Sequence, residues 1–364
     1  METTLLSILI YASTIALTVL FAWLYERKAD TKIKKIILFF TIIVVPLIVS
    51  TFRYKVGIDF DNYREYYDII LRRYRAGQNM PPQFETGFVV LNLLSYMIFN
   101  NAQGAFFFMS LLFICFFMGG IIKFKDKISL PISTLVFMTF FYSAFFNGSR
   151  QLLAVAIVFF GLSYLLDKKY IKYILLLILA SLFHKTALIA ILFCFLIPKS
   201  NEDIDYSDRI FNILVILFII SFPFFKNLLQ YVCSFFNLYA SYFQIPGDAS
   251  VKFLLYVIPP LSVLIYFRRK IIDNDYQNLF WIRLMILQIP IQFMGYYVKY
   301  LDRLSLYVSI AQIFIMSALC KIVDEKYRSV VRWLVVVWYI FYYVVVYIFL
   351  NGNGVYPYRF KIGL

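Results

Sequence analysis

The chain has 364 residues, of which 62% are hydrophobic and 21% aromatic, and its formal net charge is +15. A mean hydropathy of +0.79 excludes an ordinary soluble domain. The basic residues lie in short clusters between apolar stretches, so nucleic acid is not the predicted partner. The composition predicts an integral membrane protein, with residues 1–364 forming a single membrane domain.

Apolar stretches of membrane-spanning length recur along the chain. A bilayer core about 30 Å thick requires about 20 mostly apolar residues per helix, and its backbone groups must be hydrogen-bonded internally. The sequence therefore predicts an all-α polytopic fold with about 12 transmembrane helices. The predicted spans are Leu5–Leu24, Ile36–Val49, Ala105–Ile122, Ile128–Phe146, Leu152–Leu166, Tyr170–Ile197, Ile210–Phe225, Leu228–Phe243, Phe253–Phe267, Leu279–Tyr297, Leu304–Leu319 and Val331–Leu350.

The basic clusters predict the orientation of these spans, because cytoplasmic loops carry an excess of lysine and arginine. The clusters are Arg27–Lys35, Lys123–Lys127, Lys168–Lys172, Arg268–Lys270 and Lys321–Arg332. Placing them all in the cytoplasm puts an amphipathic loop (residues 51–85) and a second loop (residues 198–209, with the acidic segment Glu202–Asp208) outside. A full crossing by Phe84–Phe99 would put Lys123 on the wrong side, so that stretch is predicted to be re-entrant or interfacial.

Four arginines fall at the external ends of predicted spans: Arg53, Arg150, Arg303 and Arg359. The positive-inside rule favours the opposite side, so their position requires a reason such as an anionic ligand. A guanidinium is suited to this because its planar fork pairs with phosphate oxygens two at a time. The alternative is that each arginine extends to lipid headgroups or pairs with a neighbouring acid.

His184 is the only histidine of the chain and is followed by Lys185, inside an apolar run longer than one straight span. Ionisable residues within a membrane segment are costly and usually line a polar cavity. The pair therefore predicts a helix that is broken near this point. The alternative is a histidine hydrogen-bonded between helices; a lone histidine does not make a zinc site.

The order of several short motifs resembles the EpsG family of polysaccharide-forming membrane proteins. The motifs are Arg53–Tyr63, Phe84–Phe88, Asn147–Ala154, Phe183–Leu188, Asp302–Leu304 and Tyr356–Phe360. The Asn-x-x-Arg-Gln-x-x-Ala and Phe-His-x-Ser/Thr-Ala-Leu blocks are the most specific. The resemblance covers most of the chain.

The resemblance implies a Wzy-like, GT-C-like polymerase of O-antigen, capsule or exopolysaccharide. Such an enzyme joins oligosaccharide repeat units carried on undecaprenyl pyrophosphate at the outer face of the bacterial cytoplasmic membrane. It needs no metal or other cofactor. The implied partners are the lipid-linked oligosaccharides, membrane lipids, and a chain-length regulator and flippase of the same pathway.

The reaction needs cations at the leaving pyrophosphate, a base for the acceptor hydroxyl and contacts that hold two glycans. Arg150 is the first candidate cation, followed by Arg53 and Arg303 and then by Arg359. Asp59, Glu85 and His184 are the candidate bases, with Asp59 or Glu85 slightly favoured. The candidate substrate contacts are Tyr54, Tyr63, Asn147, Gln151, Lys185, Tyr358 and Arg359.

Two other functions fit the same composition. A flippase of lipid-linked oligosaccharides also needs basic residues around a pyrophosphate, although the internal repeats common in transporters are not evident. An O-antigen ligase-like transferase shares the donor and the architecture but uses another acceptor. Phosphate-binding glycine loops and serine-nucleophile motifs are not found in a suitable context.

Overall fold

The computed structural model describes residues 2–198, 204–235, 243, 245 and 255–361, which are predominantly helical. Parts of the predicted loop 198–209 and of the predicted spans Leu228–Phe243 and Phe253–Phe267 lie outside the described residues. Within them, eight helices have the length and hydropathy needed to cross a membrane. These helices are Leu5–Lys28, Lys32–Thr51, Gln103–Lys123, Ser149–Leu166, Ile204–Val232, Tyr276–Tyr297, Leu301–Ile322 and Glu325–Phe349. The prediction of a polytopic helical membrane protein is confirmed.

The chain divides into two compact units. The first unit contains Met1–Ile191 and Met316–Leu364, and the second contains Leu192–Ile315. The α-helices up to residue 181 are α1 Glu2–Lys28, α2 Lys32–Thr51, α3 Phe60–Arg75, α4 Thr86–Phe99, α5 Gln103–Lys123, α6 Leu130–Val136, α7 Ser149–Leu166 and α8 Tyr170–Ser181. Helix α6 continues as a π-helix, Phe137–Tyr142, and a 3₁₀ turn, Ala144–Phe146.

A 3₁₀ helix, Lys185–Leu196, follows α8. Among the described residues, the α-helices that follow are α9 Ile204–Phe235, α10 Ile258–Asn274, α11 Leu279–Ile286, α12 Gln288–Tyr297, α13 Ser305–Ile322 and α14 Glu325–Tyr343. Helix α14 continues as a π-helix, Val344–Phe349, and the chain then runs as an irregular C-terminal tail to Lys361.

Residues in or beside four of the five predicted cytoplasmic clusters lie at one end of the first unit; the fifth cluster, Arg268–Lys270, belongs to the second unit. The Lys321 ammonium donates a hydrogen bond of 2.7 Å to the Lys125 carbonyl and lies 3.9 Å from the Glu26 carboxylate. The Lys123 ammonium lies 3.9 Å from the ring centroid of Tyr164, near the end of α7. The ends of α1, α5, α7 and α13 therefore meet here, as the sequence predicts. We call this the inner end and the opposite end of the unit the outer end.

Both ends of helix α4 lie at the outer end of the first unit. It has 14 residues, a length of about 21 Å, which is shorter than a bilayer core. Its N-terminal neighbour Glu85 pairs with Arg150 at the start of α7. At its other end Asn101 accepts a hydrogen bond from the Gly104 backbone at the start of α5. This geometry supports the interfacial form of the prediction for Phe84–Phe99.

The predicted outward span Tyr170–Ile197 is instead a hairpin. Helix α8 ends at Ser181, and the 3₁₀ helix that follows runs back along it. The 2.6 Å hydrogen bond that the Tyr173 hydroxyl donates to the Ala190 carbonyl shows this return. A continuous helix would separate these two residues by about 25 Å. The break near His184 is confirmed, but the crossing is wrong, since the chain turns back on itself.

Helix α9 continues through residues 226 and 227, which separate the predicted spans Ile210–Phe225 and Leu228–Phe243. Pro223 lies inside it without ending it, so the break predicted between Phe225 and Leu228 is wrong. At the start of α9, Asp208 pairs with Arg268 near the end of α10. The sequence places these two residues on opposite sides of the membrane, and the ion pair shows that both placements cannot hold.

Candidate functional site at the outer end of the first unit

The site is built around the start of α7. Gly148 precedes the helix, and Ser149 and Arg150 form its first turn. The backbone N–H of Arg150 donates a 3.3 Å hydrogen bond to the Tyr63 hydroxyl of α3. A helix N-terminus carries a partial positive charge, which adds to the charge of the Arg150 guanidinium. The start of α7 is therefore electropositive.

Arg150 is held by a buried carboxylate. Its Nη1 lies 2.7 Å from Glu85 Oε2 and donates to the Gln83 carbonyl at 3.0 Å. Its guanidinium carbon lies 5.1 Å from the ring centroid of Phe88, within cation–π range. The Glu85 side chain is 6% exposed and the Arg150 side chain 21% exposed. Glu85 thus holds the arginine in place, while part of the Arg150 side chain reaches the surface.

Arg53 is enclosed. It is 1% exposed, and Nη2 donates a 3.3 Å hydrogen bond to Ser149 Oγ. The guanidinium carbon lies 4.5 to 5.9 Å from the ring centroids of Phe106, Phe145 and Phe146. Nε and Nη1 have no hydrogen-bond partner among the described residues. Burial lowers the pKa of Arg53 to about 10, so the residue remains a cation at neutral pH.

The C-terminal tail covers Arg53. An antiparallel bridge joins Arg53 to Phe360, with the Tyr54 N–H donating to the Arg359 carbonyl at 2.9 Å. Further along, the Gly57 N–H donates to the Gly354 carbonyl, also at 2.9 Å. The tail therefore pairs along its length with residues 52–58, which we call the outer segment, and Arg53 within this segment is buried.

The tail is also fixed to the membrane helices. The Tyr358 N–H donates to Ser7 Oγ of α1 at 2.9 Å, and the Tyr358 hydroxyl donates to the Val49 carbonyl of α2 at the same distance. The Tyr11 hydroxyl of α1 donates to the Val355 carbonyl at 2.7 Å. Tyr358 is buried, and this burial raises its pKa. These contacts fix the tail in place, and the role of Tyr358 as a sugar contact stays a prediction.

The α8 hairpin brings its tip to the same place. The Gly87 N–H, in the first turn of α4, donates a 2.8 Å hydrogen bond to the Leu182 carbonyl. A Cβ at Gly87 would lie 2.8 Å from that oxygen, so only glycine permits the approach. His184 follows two residues later, half-buried, with Nδ1 2.6 Å from Thr186 Oγ1. His184 and Glu85 therefore belong to the same region.

The other predicted residues occupy varied positions in the first unit. Asp59 precedes α3, is half-buried and accepts a 3.4 Å hydrogen bond from the Asn62 side chain. Tyr63 is buried, and burial raises its pKa. Tyr54 packs its ring edge against a buried phenylalanine. Gln151 is buried, whereas Lys185 and Arg359 are exposed.

Arg303 lies in the second unit, where its guanidinium carbon is 4.4 Å from the ring centroid of Tyr300. The grouping of the other candidates concerns the first unit alone. Within the described part of the chain, no three His, Cys, Asp or Glu side chains are placed to hold a metal ion.

Sequence reasoning missed two contacts of the site. Ser149 is the hydrogen-bond partner of Arg53, although it lies beside Arg150 within a quoted motif. Asn353, in the turn that opens the tail, accepts a 3.4 Å hydrogen bond from Asn147. Its φ of +63° is a conformation that asparagine tolerates better than most residues. The Asn-Gly-Asn-Gly run at 351–354 was the available signal for this turn.

The fold and the outer end together define a multi-pass α-helical membrane protein with a charged, partly buried site. The sequence profile of the EpsG family matches residues 36–360. The chain belongs to that family, whose members are Wzy-like polysaccharide polymerases. Searches of characterised proteins and of solved structures found no match to this chain.

Proposed function

We propose that the protein is a glycosyltransferase that polymerises oligosaccharide repeat units carried on undecaprenyl pyrophosphate, at the outer face of the bacterial cytoplasmic membrane. Membership of the family supports a polysaccharide polymerase, and we add the lipid carrier as part of this proposal. The single observation that carries it is Arg150, a guanidinium partly open at the surface and backed by a buried carboxylate. A pathway of this kind also implies a flippase and a chain-length regulator as partners.

Arg150 would oppose the charge that develops on the leaving pyrophosphate. As the bond from the anomeric carbon to the pyrophosphate oxygen breaks, negative charge collects on that oxygen, and a preplaced cation lowers the barrier. Nη1 is occupied by Glu85 and Gln83, so the ligand would meet the rest of the guanidinium. This supports a metal-independent step, in which the arginine supplies the charge stabilisation.

For Glu85 we propose a positioning role in place of the predicted role of base. Its Oε2 lies 2.7 Å from Arg150 Nη1 and its side chain is 6% exposed, so the carboxylate is engaged by the guanidinium. Asp59 remains a candidate base because it is half-buried and precedes α3 at the same end of the unit.

Arg53 would act behind the surface. It is sealed by the tail and bonded to Ser149, the neighbour of Arg150, so its charge would add to the positive potential at the start of α7 without touching the glycan. Arg303 stays a further candidate cation. The exposed Lys185 and Arg359, together with Tyr54 and Asn147, are proposed glycan contacts, while the buried Tyr63, Gln151 and Tyr358 would support them from within.

The test is elongation in liposomes that contain the purified protein, undecaprenyl-pyrophosphate-linked repeat units and no nucleotide sugar. Wild type is expected to give a ladder of products. Arg150→Ala is expected to elongate about 100-fold more slowly, because one charge-stabilising donor contributes roughly that factor. Arg150→Lys, which keeps a point charge but loses the fork, should retain an intermediate rate.

The matched control is Arg72→Ala. Arg72 is an exposed arginine of α3, where its side chain bonds the Asp68 carbonyl. Its variant should elongate like wild type. Equal rates for Arg150→Ala and wild type would contradict the assigned role. Translocation of the lipid-linked unit without elongation would indicate a flippase, and transfer to another acceptor would indicate a ligase.

We also propose that the start of α9 faces the cytoplasm. Asp208 pairs with Arg268, and Arg268, Arg269 and Lys270 form a basic cluster of the kind retained on that side. Single cysteines at Ser207 and Arg269 should then be labelled from the same, inner side by a membrane-impermeant thiol reagent. Labelling of both from outside would support the predicted external loop 198–209 instead.

A further inference from the structure

The aromatic ring of Tyr66, on α3, lies beside Arg150. The guanidinium carbon of Arg150 is 5.8 Å from the centroid of this ring, within cation–π range. Tyr66 is half-buried, and part of the Arg150 side chain also reaches the surface. A cation and an aromatic ring, both partly exposed, are therefore neighbours at the outer end of the first unit.

Three buried aromatic side chains hold the Tyr66 ring in place. Its centroid lies 5.1 Å from that of Phe84, 6.1 Å from that of Tyr63 and 6.4 Å from that of Phe88. The interplanar angles are 58°, 81° and 90°, so none of these three rings is stacked parallel to Tyr66. A ring that is already fixed loses little side-chain freedom when a ligand binds. Tyr66 is thus suited to contact a ligand with the part of its surface that remains open.

We propose that Tyr66 is the stacking platform for the pyranose ring next to the pyrophosphate of the lipid-linked substrate. This rests on the proposed polymerase function and adds a sugar subsite to it. The faces of a pyranose carry C–H groups, whose partial positive charge is attracted to the negative face of an aromatic ring. That sugar is joined directly to the pyrophosphate that Arg150 would contact, so its ring has to lie beside this arginine.

The surroundings of Arg150 single out Tyr66 for this role. Among the described residues, two aromatic rings lie within cation–π range of Arg150. Phe88 is buried, whereas Tyr66 is partly exposed. Recognition would then be divided between two residues: Arg150 binds the pyrophosphate whatever sugar it carries, and Tyr66 responds to the sugar alone.

Binding to two lipids separates the sugar subsite from the arginine. The probes are undecaprenyl pyrophosphate and undecaprenyl-pyrophosphate-linked N-acetylglucosamine, whose equatorial substituents leave C–H groups on both faces of the ring. Native mass spectrometry of the purified protein in detergent measures their affinities. Wild type is expected to bind the glycosylated lipid about tenfold more tightly, the size of one stacking contact. Tyr66→Phe, which keeps the ring, should retain this preference. Tyr66→Leu should lose it, with an unchanged affinity for undecaprenyl pyrophosphate.

The matched control is Tyr74→Leu, at an exposed tyrosine about two turns further along α3. It should bind both lipids like wild type. Equal affinities of wild type for the two lipids would overturn the subsite. An equal loss of affinity for both lipids in Tyr66→Leu would also overturn it, because Tyr66 would then act only by holding Arg150 in place.

Elongation of the cognate repeat unit separates the subsite from the proposed function. Stacking that is equally strong in the bound substrate and in the transition state changes KM alone. Tyr66→Leu is therefore expected to raise KM about tenfold with kcat close to that of wild type. A fall in kcat at unchanged KM would overturn the proposal. A protein that prefers the glycosylated lipid through Tyr66 but elongates no unit would keep the sugar subsite and refute the polymerase.

Discussion

The two ends of the first unit use charged residues in different ways. At the inner end the ion pairs are open to solvent: the side chains of Lys169 and Asp167 are 53% and 58% exposed. At the outer end Glu85 is 6% exposed in its pair with Arg150. Arg53 is 1% exposed overall, and two of its nitrogens have no hydrogen-bond partner within the part of the chain that the structure describes. Exposed charges can set the orientation of the protein in the membrane by their number alone, whereas the stability of a buried charge depends on its individual contacts.

This difference has an energetic side. An exposed ion pair stabilises a protein by about 0 to 1 kcal/mol, whereas removing one partner of a buried pair costs about 3 to 5 kcal/mol. A buried cation without a full set of hydrogen-bond partners opposes folding, and the proposed function gives a reason for Arg53 at this position. Substitutions at the outer end should therefore change the free energy of unfolding and the elongation rate by different amounts, and those at the inner end should change neither quantity.

The largest effect is expected from Gly57→Ala. Gly57 has a φ of +92°, and a Cβ there would overlap the carbonyl oxygen of Phe146, which precedes α7. Overpacking and the strained backbone together should cost at least about 3 kcal/mol. Gly77→Ala is the matched control, because its φ of +62° carries a similar strain but nothing lies within 4 Å. It should cost only about 1 kcal/mol.

Thermal unfolding in detergent, followed by circular dichroism, measures both glycine variants. The difference between them isolates the close contact between the outer segment and the start of α7. Equal melting temperatures for the two alanine variants would show that this contact is looser than the structure indicates.

Glu85→Ala should have the next largest effect. It leaves the guanidinium of Arg150 without its carboxylate, at a cost of about 2 to 3 kcal/mol, since the arginine keeps some access to water. It should also slow elongation, because Arg150 loses its fixed position. Asp167→Ala removes a carboxylate from the exposed pair with Lys169 and is the control, with an expected cost near zero. A similar loss of stability in both variants would remove the distinction between the two ends.

Arg53→Met tests the enclosed cation. Methionine fills a similar volume without a charge, so the free energy of unfolding should stay within about 1 kcal/mol of wild type or rise. Elongation should fall by a factor of about 10 to 100, because the positive potential behind Arg150 is lost. Unchanged elongation would reduce Arg53 to a packing residue, and a large loss of stability would indicate that its aromatic contacts hold the tail in place.

The sequence predicts the fold class and the inner end well, because hydropathy and basic clusters depend on composition over many residues. The motifs around Arg53, Glu85, Arg150 and His184 also identify the residues of one region. His184 and Lys185 predict the break after α8, but the return of the chain could not be predicted, because the apolar residues on both sides of the break also fit a crossing. The tertiary hydrogen bond from Tyr173 to Ala190 shows the return. Hydropathy likewise could not show that Glu85 pairs with Arg150, because that contact joins residues 65 positions apart.

The smallest effect is expected from Lys321→Ala at the inner end. Its ammonium bonds the Lys125 carbonyl and lies near Glu26, yet its side chain is 38% exposed, so water replaces these contacts at a cost of a few tenths of a kcal/mol. Melting temperature, elongation and sidedness of labelling should all match wild type. Orientation depends on the sum of lysines and arginines near the spans, and removing one charge leaves that sum almost unchanged. If the sidedness of labelling and the melting temperature are unchanged, a loss of elongation would mean that the inner end takes part in the reaction.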